Sequence, residues 1–503
     1  MEPAPPSPAS RRLEIRNPAT GGSLGHVSVA SASDVASAVQ RARRAQPGWA
    51  ALGLAGRRAA LRSLSARLAR DTALVDTLTA ESGQPAHEAE AIEVLYTCEL
   101  IRHLTGRAGA RALGDECRSP FFFANKRARI LQHPRGVVGV IGPWNWPLLN
   151  NFADTVAPLV AGNAVVLKPS PLTPLSSLHV KTLWDELGLP ADVFQVVTGD
   201  SQTGEALVEA VDMIFFTGSV EAGRKVAAAA GARLIPAVVE LGGKSAAIVL
   251  EGANLKDAAR AIVWSAFMHS GQACIRTERV LVEATAASAL TAHLAREIAQ
   301  LRVGPPDIEP DVGATIFAPL RERWQAQIDQ AVAAGARVLV GNEQRPGPGC
   351  FFSPTLLVGV TPEMTVAKEE TFGPVLPVIA VANADEALRV ANALPFGLSG
   401  AVFARSTAEA RRVARQLETG NVCLNDTAVH YFCVESPLGG IKQSGLGVRH
   451  GHEAIRQFCW TETVIEDRPL FGPLTRALMG QLRYPYRPRV RRALRFLMRK
   501  VYG

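Results

Sequence analysis

The sequence predicts an α/β fold of more than one domain, built around a parallel sheet, and three observations carry that prediction. From Gly136 onward, short apolar and largely β-branched runs at 137–141, 165–167, 194–197, 214–216 and 246–250 alternate with helical stretches near 150–162, 173–187, 201–210 and 219–230. Strands separated by helices pair in parallel. A sheet covered on both faces needs apolar side chains on both, so its strands read as continuous runs. At 503 residues the chain exceeds what one simple core serves, and two or three domains are expected. Its 47% apolar and 20% charged residues are ordinary globular proportions, and no run of eighteen apolar residues is present to span a membrane.

The elements follow in chain order. Residues Met1 to Arg12 are proline-rich, polar and free of an apolar segment, and read as a short disordered leader with no signal peptide. Ser33 can cap a helix carrying Val35, Val39 and Ala42 on one face, and a second helix places Leu61, Leu64 and Leu68 at helical spacing and stops at Gly83. Residues 124–134, with Lys126, Arg127 and Arg129, read as a charged extended hairpin segment. The strand–helix alternation from Gly136 to about 242 has the pattern of a dinucleotide-binding domain, whose ligand lies beyond the carboxyl ends of the strands. Residues 1–115 and 135–242 are assigned to that domain and 243–443 to a second α/β domain. Residues 116–134 and 455–467 are assigned to a small β element that includes a strand at 458–465, and 468–503 to a tail.

Charge and cysteine usage narrow the function classes. The net charge is +8, yet residues 468–503 alone hold ten Arg or Lys and no acid, so the body is close to neutral. A basic nucleic-acid-binding face on the folded body is therefore not expected. Drawn as a helix, 490–501 sets Val490, Leu494, Leu497, Met498 and Val501 on one side and Arg491, Arg492, Arg495 and Arg499 on the other, with Phe496 off the stripe. That is the pattern of a helix lying in a membrane interface; the alternative is a tail packed on a neighbouring subunit. Seven scattered cysteines without a CxxC pair argue against a disulfide framework and for a reducing, cytoplasmic compartment. The nearest approach to a metal motif, His450-Gly-His452, has the wrong spacing for one, and no metal is expected.

Three motifs carry the chemistry. Cys274 closes Ser-Gly-Gln-Ala-Cys, a small-residue turn whose backbone N–H groups can approach a reacting carbonyl oxygen and which favours a thiolate. The other six cysteines are assigned to packing. Glu240, in Val-Glu-Leu-Gly-Gly-Lys, ends an apolar run, where burial would lift a carboxyl group toward the range useful to a general base. Asn145, in Gly-Pro-Trp-Asn-Trp-Pro, lies between two prolines and two tryptophans, so its side-chain NH2 can be held against an oxyanion. Phe216-Thr217-Gly218-Ser219, with Gly223 farther along, follows a strand and opens a helix whose free N–H groups suit a pyrophosphate.

In order and spacing these motifs resemble the aldehyde dehydrogenase superfamily, over about residues 17–464. The resemblance implies an aldehyde-dehydrogenase-like fold with a Rossmann-type cofactor domain, an α/β catalytic domain and a small β oligomerisation element formed by pairing of 455–467 with the hairpin segment. It implies NAD or NADP as cofactor, a small-molecule aldehyde as substrate and a homodimer or homotetramer. It also implies that Cys274 forms a thiohemiacetal and then a thioester, with Asn145 holding the oxyanion and Glu240 directing water. Cofactor contacts fall to Trp144, Lys168, Gly218, Ser219, Gly223, Glu370 and Phe372. Asn425 and the stretch from Pro437 to Gly445 are lesser matches near the active site, and Arg279 is read as structural. NAD-preferring members usually carry an acid three residues after the lysine; here that position is Pro171, which opens the site to NADP.

For the substrate pocket the candidates are Trp146, Leu149, Ile275, Tyr431 and Phe432, which favour an apolar or aromatic aldehyde. Arg276 could instead pair with a carboxylate, as in a succinate-semialdehyde-type enzyme. Two further readings are a CoA-acylating semialdehyde dehydrogenase, against which Glu240 argues, and a non-catalytic scaffold, against which Cys274 argues.

Overall fold

The computed structural model describes residues 11–120, 125–343, 348–468, 477, 480–485 and 487–502. Positions 1–10 of the leader, Ala124 of the hairpin segment and the remaining tail positions lie outside the described residues. The leader is shorter than expected: Arg12–Arg16 is already a strand, paired antiparallel with Ser23–Ser28.

Two large sheets organise the chain. The first has six strands in the order Gly445–Leu446, Ala237–Glu240, Met213–Thr217, Val137–Ile141, Ala164–Lys168 and Phe194–Val196, parallel except for the returning two-residue edge. Its strand order reverses direction at Val137–Ile141, and the loops after that strand and after Met213–Thr217 diverge there to leave a crevice. The second has seven strands in the order Arg337–Val340, Thr355–Val358, Val375–Val381, Arg279–Glu283, Ala246–Val249, Ser399–Phe403 and Asn421–Leu424. Ala246 and Ile248 enter one core with Trp324 and Phe352, while Ala247 and Val249 enter another with Phe267 and Leu290. Both faces of this strand are dry, which is why its sequence shows no polar alternation.

The helices explain where sequence reading slipped. The first, Ala32–Ala51, is capped by Ser31 and not Ser33. Ser31 Oγ accepts from the Asp34 N–H while the Asp34 carboxylate accepts from the Ser31 N–H, a reciprocal pair that needs the acid three residues on. The stretch ending at Gly83 divides in two, Gly53–Leu68 and Thr72–Ser82, because Asp71 caps a new start by accepting from the Leu74 N–H at 2.9 Å. Of the expected helices, 201–210 occurs as Ser201–Ala210 and 219–230 as Val220–Ala232, capped by Asp200 and Ser219. Those near 173–187 and 150–162 occur as Leu175–Glu186 and Ala153–Ala161, the latter preceded by a wider turn, Leu148–Phe152.

A third, three-stranded sheet stands apart. Cys459–Asp467 pairs over its whole length with Lys126–Pro134, and Glu116–Arg118 pairs on the far side. The ion pair Lys126–Asp467 (2.7 Å) and the hydrogen bond between His133 Nε2 and Glu462 Oε2 (2.9 Å) cross the longer ladder and favour its register. Cys459–Asp467 is an edge strand that exposes Trp460, Val464 and Ile465. Pro488–Tyr502 is a helix with no buried residue.

Candidate active site

Strand Val137–Ile141 delivers Asn145. A Cβ at Gly142 would fall 1.9 Å from Asn151 Oδ1, so the chain can turn this tightly out of the strand only through glycine. Trp146 follows in the left-handed region (φ 58°). Beyond it the N–H groups of Leu148 and Leu149 donate to Glu93 Oε2 at 2.6 and 2.9 Å, which pins the start of the next helical turn. Asn145 is 4% exposed, and one hydrogen of its Nδ2 goes to the Gln272 carbonyl at 2.8 Å. That bond ties the asparagine directly to the cysteine turn.

The cysteine turn is wound against preference. After helix Leu255–Phe267 come three consecutive left-handed residues, His269 (φ 48°), Ser270 (57°) and Gly271 (74°). The glycine is obligatory, since a Cβ there would meet the Gly373 carbonyl group at 2.5 Å. The turn is held from outside. Both Glu88 carboxyl oxygens face the His269 N–H (2.9 and 3.1 Å), Ser270 Oγ donates to the Gly313 carbonyl (2.8 Å), and Gln272 Oε1 accepts from the Ile316 N–H (2.9 Å). The expectation of a resting thiolate at Cys274 does not survive. Burial pushes the thiol up to about 12, with the Glu240 and Glu370 charges adding to the effect and Arg449 opposing it.

Glu240 stands at the carboxyl end of its strand, in register with Thr217 on one side and Gly445 on the other. Burial pushes its carboxyl group up to about 8, with Arg449 pulling down and Asp154 pushing up. Glu370 accepts from the Gly243 N–H at 2.8 Å, and burial lifts it to about 7, helped by the neighbouring Glu278. Phe372 meets Trp144 edge to face, ring centres 5.4 Å apart. Ser219 Oγ caps helix Val220–Ala232 by accepting from the Ala222 N–H.

These pieces converge. A cavity of about 190 Å³ is lined by Asn145, Glu240 and Cys274 together with Trp144, Gly218, Ser219, Glu370 and Phe372. A second, narrow cavity of about 20 Å³ is lined by Trp146, Leu149, Ile275, Tyr431, Phe432 and Cys274, with Ile92 and Met268. Cys274 is in the wall of both.

Two expected cofactor residues, Lys168 and Gly223, are not in the wall of the larger cavity. Lys168 is buried, with Nζ donating to the carbonyls of Pro169 (2.9 Å) and Gly199 (3.1 Å), and desolvation lowers its amine to about 8. Gly223 is a packing glycine, because a Cβ there would strike Leu241 Cδ2 at 2.3 Å. Arg276 cannot meet a substrate carboxylate: it is fully buried, paired with Glu278 at 2.7 Å and bonded to the Ala266 and Val375 carbonyls. Arg279 is structural, with four backbone carbonyls as partners. Cys117 and Cys433 are exposed and not packed, and all seven cysteines are free.

A model described as the aldehyde dehydrogenase family matches residues 6–464. The chain belongs to the aldehyde dehydrogenase family. It is 37% identical over 90% of its length to 88% of the Mycolicibacterium smegmatis protein named "Putative succinate-semialdehyde dehydrogenase [NADP(+)]". It is 35% identical over 90% of its length to 85% of a Methylomonas protein named 4,4'-diapolycopene aldehyde oxidase. The NADP-dependent glyceraldehyde-3-phosphate dehydrogenase of Bacillus halodurans, solved with NADP, superposes with a TM-score of 0.86 at 35% identity, covering 91% of this chain and 96% of that one. The chain is thus an oxidoreductase that oxidises an aldehyde with NAD or NADP.

Sequence reasoning missed the residues that frame this aldehyde dehydrogenase site. Glu81, Glu88 and Glu93 are buried acids on one short segment. Each accepts backbone N–H groups from a different loop, Glu81 from Leu175 (2.6 Å) and Ser176 (2.9 Å). Four acids within thirteen residues, Glu90 among them, read as a solvated helix face, and nothing local marks three of them as buried. Arg449 was also missed, although it follows the Pro437 to Gly445 match by only four residues.

Proposed function

We propose that Cys274, Asn145 and Glu240 carry the oxidation of an apolar or aromatic aldehyde to its acid. The position of Cys274 in the wall of both cavities supports this most: one is apolar and sized for a carbonyl group with its first carbons, the other is larger and open to a cofactor. The residues around the larger cavity fit a nicotinamide dinucleotide. A capped helix start at Ser219 offers N–H groups to a pyrophosphate, and the Glu370 carboxylate faces the cavity for a ribose.

The half-buried thiol passes its proton to solvent as the sulfur–carbon bond to the aldehyde forms and the carbonyl electron pair moves onto oxygen. Asn145, with one Nδ2 hydrogen engaged by Gln272, turns the other toward the oxyanion. Bound NAD or NADP supplies the acceptor for the hydride lost from that carbon, which leaves a thioester on Cys274. Glu240 then takes a proton from water as the water attacks the thioester, and the carbon–sulfur bond breaks to release the acid. In the assay, Cys274→Ala abolishes turnover, whereas Glu240→Gln keeps a single burst of NAD(P)H and loses steady release. Substantial turnover by Cys274→Ala would overturn the reading.

The apolar preference rests on the lining of the narrow cavity, which carries no Lys or Arg. Relatives are named for succinate semialdehyde, but a carboxylate entering here would be buried without a partner, which costs several kcal/mol. A panel of alkyl, aryl and carboxylated aldehydes compared by kcat/KM decides it; succinate semialdehyde ranking first would refute the preference. Activity without CoA separates this reaction from acyl-CoA formation.

For the whole molecule we propose a homodimer or homotetramer in a reducing cytoplasm. Seven free cysteines support the compartment, and the exposed edge Cys459–Asp467 supports pairing with a second copy. A monomer by light scattering would refute the assembly. No helix among the described residues is long and apolar enough to cross a membrane. The helix Pro488–Tyr502 instead carries Arg489, Arg491, Arg492, Arg495, Arg499 and Lys500 with its apolar stripe uncovered, which favours contact with an anionic lipid surface. Full-length protein should sediment with anionic vesicles at low salt and release at high salt; equal binding after deletion of 468–503 would remove the tail's role.

A further inference from the structure

The larger cavity holds a buried cation that the steps above leave without a task. Arg449 is 6% exposed. Its Nη1 donates to Asn150 Oδ1 and to the Tyr431 hydroxyl oxygen, both at 2.6 Å, and its Nη2 donates to Thr217 Oγ1 at 2.6 Å. Nη2 also lies 3.3 Å from Asp154 Oδ2, and Nε, which makes no hydrogen bond to protein, lies 4.0 Å from Glu240 Oε2. The guanidinium is further confined by the rings of Phe215 and Tyr431, at 5.5 and 5.9 Å. One fixed cation therefore stands between two buried carboxylates, in a medium where such charges act strongly on one another.

We infer that Arg449 and Asp154 are positioning residues that set, by opposite electrostatic pulls, the pH at which Glu240 becomes a base. The inference rests on the reading of Glu240 as the base of acid release. Arg449 favours the carboxylate form of Glu240; Asp154, when ionised, both opposes that form and claims the arginine for itself. Burial lifts Asp154 to about 6 and Glu240 to about 8, so Asp154 ionises first and Glu240 follows. The remaining titratable groups facing Arg449 are Cys274, Tyr96, Tyr431 and His450. Burial holds both tyrosines neutral and pushes His450 down to about 3, so they add no charge near neutrality. Cys274 feels Arg449 in the same sense as Glu240 does.

The two partners must therefore move the pH midpoint of acid release in opposite directions, which a merely structural role would not do. The rate of release after the NAD(P)H burst is measured against pH for full-length unmodified protein, Arg449→Gln, Arg449→Lys and Asp154→Asn, with Glu240→Gln as control. We expect the midpoint to rise by about one unit or more in Arg449→Gln, to fall by about one unit or more in Asp154→Asn and to return toward the unmodified value in Arg449→Lys. Without cofactor, alkylation of Cys274 by iodoacetamide at pH 8 should slow at least about threefold in Arg449→Gln. If Arg449→Gln does not fold, the Asp154→Asn midpoint still decides. Unmoved midpoints, or shifts of the same sign, overturn the inference while loss of release in Glu240→Gln leaves the base assignment standing. Full release in Glu240→Gln removes the base assignment itself.

Discussion

Replacing Glu88 tests how the cysteine turn is held. In Glu88→Ala the His269 N–H loses its acceptor in a buried setting, a loss of about 1–3 kcal/mol. The turn it restrains carries His269 and Ser270 at φ 48° and 57°, each costing about 1–2 kcal/mol in that region. Loss and strain are of similar size, so without Glu88 the turn can relax and carry Cys274 out of line. We expect a fall of about 2 kcal/mol in stability together with at least about a hundredfold loss in burst rate, since small misplacements of a reacting group cost that much. Glu88→Gln should behave differently. Burial raises the Glu88 carboxyl group to about 8, so near pH 7 the native side chain is mostly a neutral acid that glutamine imitates, keeping a carbonyl oxygen for His269. Because the folded value lies above the unfolded one, the stability Glu88 contributes is complete below about pH 4.5 and is lost as pH rises toward 8. The glutamine variant lacks that loss, so its stability relative to the unmodified protein should improve across that window. Stopped-flow NAD(P)H bursts and urea unfolding at pH 5, 7 and 9 read both effects. Equal damage from alanine and glutamine, or an undiminished burst in Glu88→Ala, would refute the reasoning.

Three other outcomes are expected. Asn145→Ala should lower kcat by about 10²–10³, or about 3–4 kcal/mol, with little change in KM for NAD(P), because its side chain serves the oxyanion and the Gln272 carbonyl; steady-state kinetics check this. NADP should be used within about tenfold of NAD, a difference of about 1.4 kcal/mol, and Pro171→Glu should shift preference toward NAD by supplying a diol partner that repels a 2′-phosphate; strict NAD use by the unmodified protein would refute it. Glu278→Ala should cost about 3–5 kcal/mol in chemical denaturation, because it strands Lys244 and Arg276, and should raise KM for NAD(P) through the freed Thr371 and Phe372 N–H groups.

Much of this architecture is legible in the chain alone. The alternation from Gly136 marks the first sheet because burial on both faces leaves continuous apolar runs, and those runs match its strands to within a residue or two. The site motifs were readable because each sits where a strand or helix ends and the backbone must turn sharply, as at Gly142 and Gly271, and such turns restrict residue choice locally. Polar groups that act across the fold left no comparable mark. Arg449 and Asp154 lie 295 positions apart, and Glu93 meets Leu148 across 55. Their burial depends on which segments pack together, which no local period encodes. The same blindness produced the expectations for Cys274 and Arg276: a small-residue turn says nothing of the burial around the thiol or of nearby carboxylates, and an arginine beside the nucleophile says nothing of Glu278 waiting two residues on.

Glu88 and Glu93 bracket Ile92, whose side chain borders the narrow cavity. The residues that frame the cysteine turn and one that borders the narrow cavity thus share one turn of helix. Exchanging Ile92 for a smaller or longer side chain reshapes the space offered to an aldehyde without touching either acid, and the loops bearing Asn145 and Cys274 keep their anchors. A library confined to residue 92 is accordingly the smallest search that should yield new specificities from an intact catalyst.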